Sequence, residues 1–272
     1  MSVEVALTGA AGGGPPGERY VRRAMPVASF HLQRTTTAGA LTSMVGMVRQ
    51  QRLARTVPGL RFARQLGTGR GRAMGLQGDL RRWATFAVWD DDAALDTFLA
   101  EDATARRWRE RSVESWSVRL QPLAAHGRWA GADPFAGLDD VAAHQRAQAD
   151  GPVAVLTRAR VPARHWPAFY RAVPPVEAHL HAQPGLLQAV GVGERPVGLL
   201  ATFSLWRTAA DIEAFAYLET VHHDVVRATR RGGWFSEELF ARFRPYGSTG
   251  TWDGIDPLAL GTDERPDAGN GS

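Results

Sequence analysis

Two periodicities run along the chain. Apolar residues fall at alternate positions in Trp116, Val118 and Leu120, in Ala201, Phe203 and Leu205, and in Leu239, Ala241 and Phe243. That spacing predicts strands with one buried face. β-rich runs also open at Val27 to Leu32 and at Val153 to Val161. Each is followed by a helix-length segment, about 38–56 in the first case and about 163–182 in the second. Pro58-Gly59 and Pro184-Gly185 end those helices, because proline cannot continue a helix and glycine turns readily. A short strand then leads to Gly67 and Gly69, or to Gly191 and Gly193. Next come a strand ending in Trp89 or Trp206, a second helical region and a closing strand. The order β-α-β-β-α-β occurs twice.

The two halves are copies of one another. Ala84, Thr85, Phe86 and Trp89 align with Ala201, Thr202, Phe203 and Trp206. Gly127, Trp129, Gly131, Asp133 and Pro134 align with Gly250, Trp252, Gly254, Asp256 and Pro257. With the Pro-Gly-Leu blocks and the Val-Ala openings, four motifs recur in the same order, which marks an internal repeat. The predicted fold class is α+β, built from two tandem ferredoxin-like repeats. Each such sheet carries its helices on one face and leaves the other bare. Packing sheet to sheet as a pseudo-dimeric α+β barrel covers both. The expected divisions are a flexible tail over 1–25, repeats over 26–126 and 151–248, a linker over 127–150, and a C-terminal segment and tail over 249–272.

Composition narrows the chemistry. The chain has no cysteine, which excludes disulfides, iron–sulfur clusters and thiolate-ligated haem. All 32 basic residues are arginine, so Schiff-base chemistry and a P-loop lysine are also excluded. Net charge is +4, with arginines dispersed among acids. No aromatic-interleaved basic patch is present, and nucleic-acid binding is not expected. No apolar run reaches the roughly 20 residues of a membrane span. The N-terminus lacks a basic region ahead of an apolar core, so a cytoplasmic location is expected. Catalysis would have to use the remaining polar side chains or a bound cofactor.

The copies differ most where the second helical region continues. There the second copy carries His222 and His223, opposite Ala105 and Arg106 of the first. On a helix His222 shares a face with Val225, Val226 and Thr229, so its ring is expected to point inward. An inward imidazole suits an axial haem ligand; a buried histidine bonded to a carbonyl is the plainer alternative. Arg195, on the loop before the Trp206 strand, is positioned to reach a haem propionate or a surface acid. Trp206 and Trp234 are candidates for the wall of an apolar pocket. His179 and His181 stand two apart on a helix and do not share a face. His31, His126 and His144 are expected to be structural or exposed.

The string Pro184, Gly185, Leu186, then Gly191, Gly193, Glu194, Arg195, then Ala201, Thr202, Phe203, Trp206 resembles the spheroidene monooxygenase family. So do Phe215, Tyr217, His222, Gly233, Trp234, Phe243, Gly250 and Trp252. The likeness covers nearly all of the second repeat and is looser in the first. It implies a dimeric α+β-barrel fold and an iron enzyme holding haem b. It also implies insertion of oxygen at an activated methylene of a carotenoid, with O2 and an electron donor as co-reactants. Counted back from Trp234, the family's helix histidine falls on His222. Phe203, Trp206, Tyr217, Trp234 and Arg195 are the further expected cofactor contacts, with no distal acid–base group identified.

Aldoxime dehydratases and chlorite dismutases resemble the same tandem fold, so a haem lyase or N–O-bond enzyme stays open, as does a non-catalytic barrel. Fold does not fix function. A hydrophobic substrate leaves room for peripheral membrane contact. Duplication covers each sheet within one chain, so a monomer suffices and homo-oligomerisation is undecided.

Overall fold

The structure is a computed structural model that describes residues 26–36, 56–69, 78–136, 138, 151–194, 199–217 and 234–261. The expected helix over 38–56 and the expected tail over 1–25 lie outside these residues. The first repeat runs β1 (Val27–Thr35), β2 (Leu60–Gly69), β3 (Gly78–Trp89), α1 (Asp92–Glu101), α2 (Ala103–Arg111) and β4 (Ser112–Gly127). The second runs β5 (Val153–Arg160), α3 (Trp166–His181), β6 (Leu186–Gly193), β7 (Leu199–Trp206), α4 (Ala209–Tyr217) and β8 (Glu237–Gly250).

The eight strands close one barrel in the order β1-β3-β2-β6-β7-β5-β8-β4. The two repeats therefore join edge to edge, through hydrogen-bonded seams, as well as face to face. The β4–β8 seam is long, pairing Trp116 with Gly250 at one end and Gly127 with Leu239 at the other. Among the described residues the β2–β6 seam has two pairs, Gly67 with Gly193 and Thr68 with Val192. An eight-stranded barrel is just wide enough for side chains to fill. Here Phe30, Phe86, Trp116, Phe203, Leu205 and Phe243, all fully buried, fill it.

Strand alternation sends the other residues outward beneath the helices. In the first repeat Val27, Ala87 and Trp89 pack with Leu95 and Phe98 of α1 and Ala105 of α2. In the second, Val153, Val155, Ala189 and Trp206 pack with Leu180 of α3 and Ile212 of α4. The α1 and α2 N-termini are capped by Asp91, accepting from the Ala94 amide at 2.9 Å, and Asp102, accepting from Thr104 at 2.6 Å. Such caps satisfy amides that have no partner within the helix.

The recurring Gly-x-Trp blocks make matching turns after β4 and β8. Gly127 (φ 99°) and Gly250 (φ 82°) adopt left-handed backbone. A Cβ would lie 2.1 Å from the Glu238 carbonyl oxygen and 2.0 Å from that of Ser115, respectively. Only glycine fits there. Each turn sends an indole, Trp129 or Trp252, into the barrel core. Phe135 and Leu138 join it, so the start of the expected 127–150 linker is part of the core, because those apolar side chains close the barrel end.

One barrel end is held by buried charge. Arg158 takes the inward position that Leu32 occupies in the first repeat, and its side chain is 1% exposed. It pairs with Glu194 at 3.4 Å and with Glu237. Glu194 also accepts from Arg64 at 3.1 Å and from the Trp129 indole at 2.6 Å. Desolvation would raise the Glu237 carboxyl, but the Gly131 amide, Arg158 and the Ala130 amide together hold it below its usual range.

Candidate cofactor-binding face

The helix-facing sides of the two sheets are filled differently. In the first repeat, His31 stands at the middle of β1 and is buried. Its Nδ1 lies 2.9 Å from Ser117 Oγ and its Nε2 2.9 Å from Ser29 Oγ. Ser29 also accepts from the Trp89 indole at 2.9 Å. Trp108 of α2 lies over the imidazole, ring centroids 5.3 Å apart. Burial, with the charge of Arg119 second, pushes the His31 pKa down to about 4, so the ring is neutral at physiological pH. A cavity of about 20 Å3 remains beside it, lined by Gln65, Thr85, Phe98 and Trp108 among others. That is room for a single water.

The matching position in the second repeat is Thr157. It lies within β5, between β7 and β8, where it pairs with Thr202 and Phe240, yet it is exposed. Above this face runs α3. Phe169, Val173, Val176 and Leu180 recur at helical spacing on one stripe, and only Leu180 is buried; the others are half-buried. Since Leu180 packs on the sheet, the rest of the stripe faces the sheet without closing on it. Pro174 and Pro175 lie inside α3 and remove two amide donors from its middle. The floor of this face is the row Gly191, Thr202, Thr157 and Phe240, with Thr157 exposed, and the apolar stripe of α3 is its roof. Small floor residues under an apolar roof suit a flat, largely apolar ligand.

The expected contacts fall in several places. Trp206 is on this face: its indole donates to Ser204 Oγ at 2.9 Å and packs on Phe215, centroids 5.4 Å apart. Phe215 in turn stacks on His179 at 5.5 Å. Trp234 is half-buried and stacks on His165 at 6.2 Å. Phe203, expected among the cofactor contacts, points into the barrel, stacked on Phe30 at 3.9 Å, because successive strand residues alternate faces. A ligand against Trp206 does not reach it. Tyr217 ends α4, and only its backbone is described. His222 and Arg195 lie outside the described residues.

Sequence reading did not single out Thr157, Phe240 or Arg242. The available signal was register: Thr157 aligns with His31, one residue from inward Leu156. His31, expected to be structural or exposed, is buried and hydrogen-bonded. Among the described residues no helix is long and apolar enough to cross a membrane.

No family model matches the chain. Curated proteins do. It is 36% identical over 245 residues to a spheroidene monooxygenase of Rhodobacter capsulatus, covering 90% of this chain and 100% of that one. It is 35% identical over 197 residues to one of Rubrivivax gelatinosus, covering 72% and 73%. Among solved structures, an aldoxime dehydratase aligns with a TM-score of 0.53 at 10% identity, over 86% of this chain and 87% of that one; this likeness concerns the fold alone. By its sequence relatives, the chain belongs to the spheroidene monooxygenase family.

Proposed function

We propose that this chain is a haem-dependent monooxygenase that oxidises a carotenoid at an activated methylene to give a keto group. The observation that carries the cofactor is the uncovered centre of the second sheet. Thr157 is exposed within β5, beneath an α3 stripe that is only half-buried. The aligned site of the first repeat is filled by His31 and Trp108.

The described lining supports a flat, largely apolar group such as haem. The floor carries hydroxyls and no large side chain at Thr157 and Thr202, and the roof is apolar. His222 is the proposed axial ligand, with Arg195 as a propionate partner. Bound there, haem supplies the iron at which oxygen is activated. The chain's own part is to hold the reacting groups in a dry, oriented site. Trp206 and Phe215 close one end of the face, while Trp234 and His165 stack near its other elements. Apolar walls favour a hydrophobic polyene and exclude water. Each insertion takes one O2 and two electrons and two protons from a donor and releases one water; two insertions at the same methylene give a gem-diol that loses water to the keto group.

The test begins with absorption spectra of protein made in haem-replete cells, beside His222→Ala. A Soret band that is lost or shifted in the variant supports the reading. Purified enzyme should then consume O2 and reductant only when a carotenoid is supplied. No Soret band after haem addition would remove it.

A further inference from the structure

The two closing strands carry aligned arginines, Arg119 on β4 and Arg242 on β8, and their surroundings differ. Arg119 is committed: it pairs with Asp92 at 2.7 Å and with Asp96, both on α1. Tyr246 donates to the same Asp92 at 2.7 Å. The residues aligned with Asp92 and Asp96 are Ala209 and Glu213 of the second repeat, and the one aligned with Tyr246 is Leu123 on β4. Glu213 is exposed, and among the described residues no carboxylate pairs with Arg242. Its Nε is buried without a hydrogen-bond partner. Among the described residues its guanidinium meets the ring of Phe240, 5.7 Å from the centroid.

Phe240 pairs directly with Thr157, and Arg242 with Val155. Arg242 therefore stands on the helix-facing side, one side-chain step along β8 from the uncovered floor. A partly buried cation without a counter-charge is unfavourable. A carboxylate offers the planar, two-pronged acceptor that a guanidinium matches best.

We propose that Arg242 anchors a carboxylate of the group bound on this face, namely a haem propionate; this rests on the haem reading above. Of the two acids that occupy Arg119, the second repeat replaces one with Ala209 and keeps the other as Glu213, which is exposed and, among the described residues, not paired with Arg242, so Arg242 is left to the ligand.

The test titrates haem and haem dimethyl ester, followed by Soret absorbance, into the full chain as wild type, Arg242→Gln and Ala209→Asp. The last variant restores to Arg242 the carboxylate that Asp92 gives Arg119. Wild type should bind haem about tenfold or more tighter than the ester, the scale of one charged hydrogen bond. Both variants should weaken haem binding by about tenfold, the share of the preference that Arg242 supplies, and leave ester binding unchanged. Should Arg242→Gln not fold, judged by circular dichroism, Ala209→Asp decides alone. A folded variant that keeps the full preference overturns the proposal, as does a wild type that binds both equally. A wild type that binds neither removes the haem reading along with it.

Discussion

Phe30 and Phe203, one from each repeat, stack inside the barrel with ring centroids 3.9 Å apart and planes within 6°. Both are fully buried. The contact makes the core common property of two halves that would otherwise each bury their own. Phe203→Ala should cost about 3–5 kcal/mol, the usual range for an aromatic removed from a core. Urea denaturation followed by tryptophan fluorescence and by circular dichroism should still give one coincident transition, shifted to lower midpoint. Two separated transitions would show that the repeats fold independently.

His31 links stability to pH. Its folded pKa is about 4, below the ordinary 6.5, so the unfolded chain binds the extra proton between those values. Stability should be complete above about 6.5 and fall as pH drops toward 4, by up to about 1.4 kcal/mol per unit inside that window. His31→Gln should flatten this dependence. Unfolding free energies of both proteins across the window check it; parallel curves would refute the assignment.

Much of the fold was legible because each repeat carries its own punctuation. Pro184-Gly185 follows the end of α3, and Gly127 and Gly250 permit turns that no other residue makes. Alternation in Ala201, Phe203 and Leu205 correctly gave a strand with two unlike faces. It did not say which face the helices cover. In this barrel the apolar set looks inward, so the side that offers a ligand surface is the quieter one, with Thr157, Thr202 and Ser204. Edge-to-edge pairing of β4 with β8 joins residues far apart in sequence, and local periodicity carries no trace of it. Trp129, Phe135 and Leu138 read as a linker because they follow the closing strand with neither a strand nor a helix period, although the Gly127–Pro134 block itself recurs at Gly250–Pro257.

Filling the cleft should block the cofactor without harming the fold. Thr157→Phe puts a ring where the floor is open, much as His31 and Trp108 fill the first repeat. Haem affinity should fall by more than about tenfold, since a lost steric fit of this kind exceeds 1.4 kcal/mol, while the melting temperature stays near that of wild type. Soret titration beside a thermal melt reads both; unchanged haem affinity would place the cofactor elsewhere.

Arg158 should behave as a structural cation. Arg158→Leu installs the residue found at the aligned position of the first repeat, yet strands Glu194 and Glu237 at the barrel end. Removing one partner from a buried ion network costs about 3–5 kcal/mol. Adding Glu194→Gln and Glu237→Gln to that variant should recover part of the loss. A melting temperature unaffected by Arg158→Leu would show that water already satisfies these acids.

The unequal seams give the ring a hinge and a clasp. Along β4 and β8 the halves are zipped from Trp116 to Gly127, while among the described residues β2 and β6 meet at two pairs around Gly67 and Gly193. Thermal breathing should therefore part the cylinder at the clasp, and hydrogen exchange should reach the amides of Thr68 and Gly193 well before those of Val118 and Leu120. β6 is also the strand that brings Gly191 to the cleft floor. The compliant side of the molecule is thus the side of the proposed ligand face, and on that proposal a long, stiff polyene could be admitted with no movement of the hinge at all.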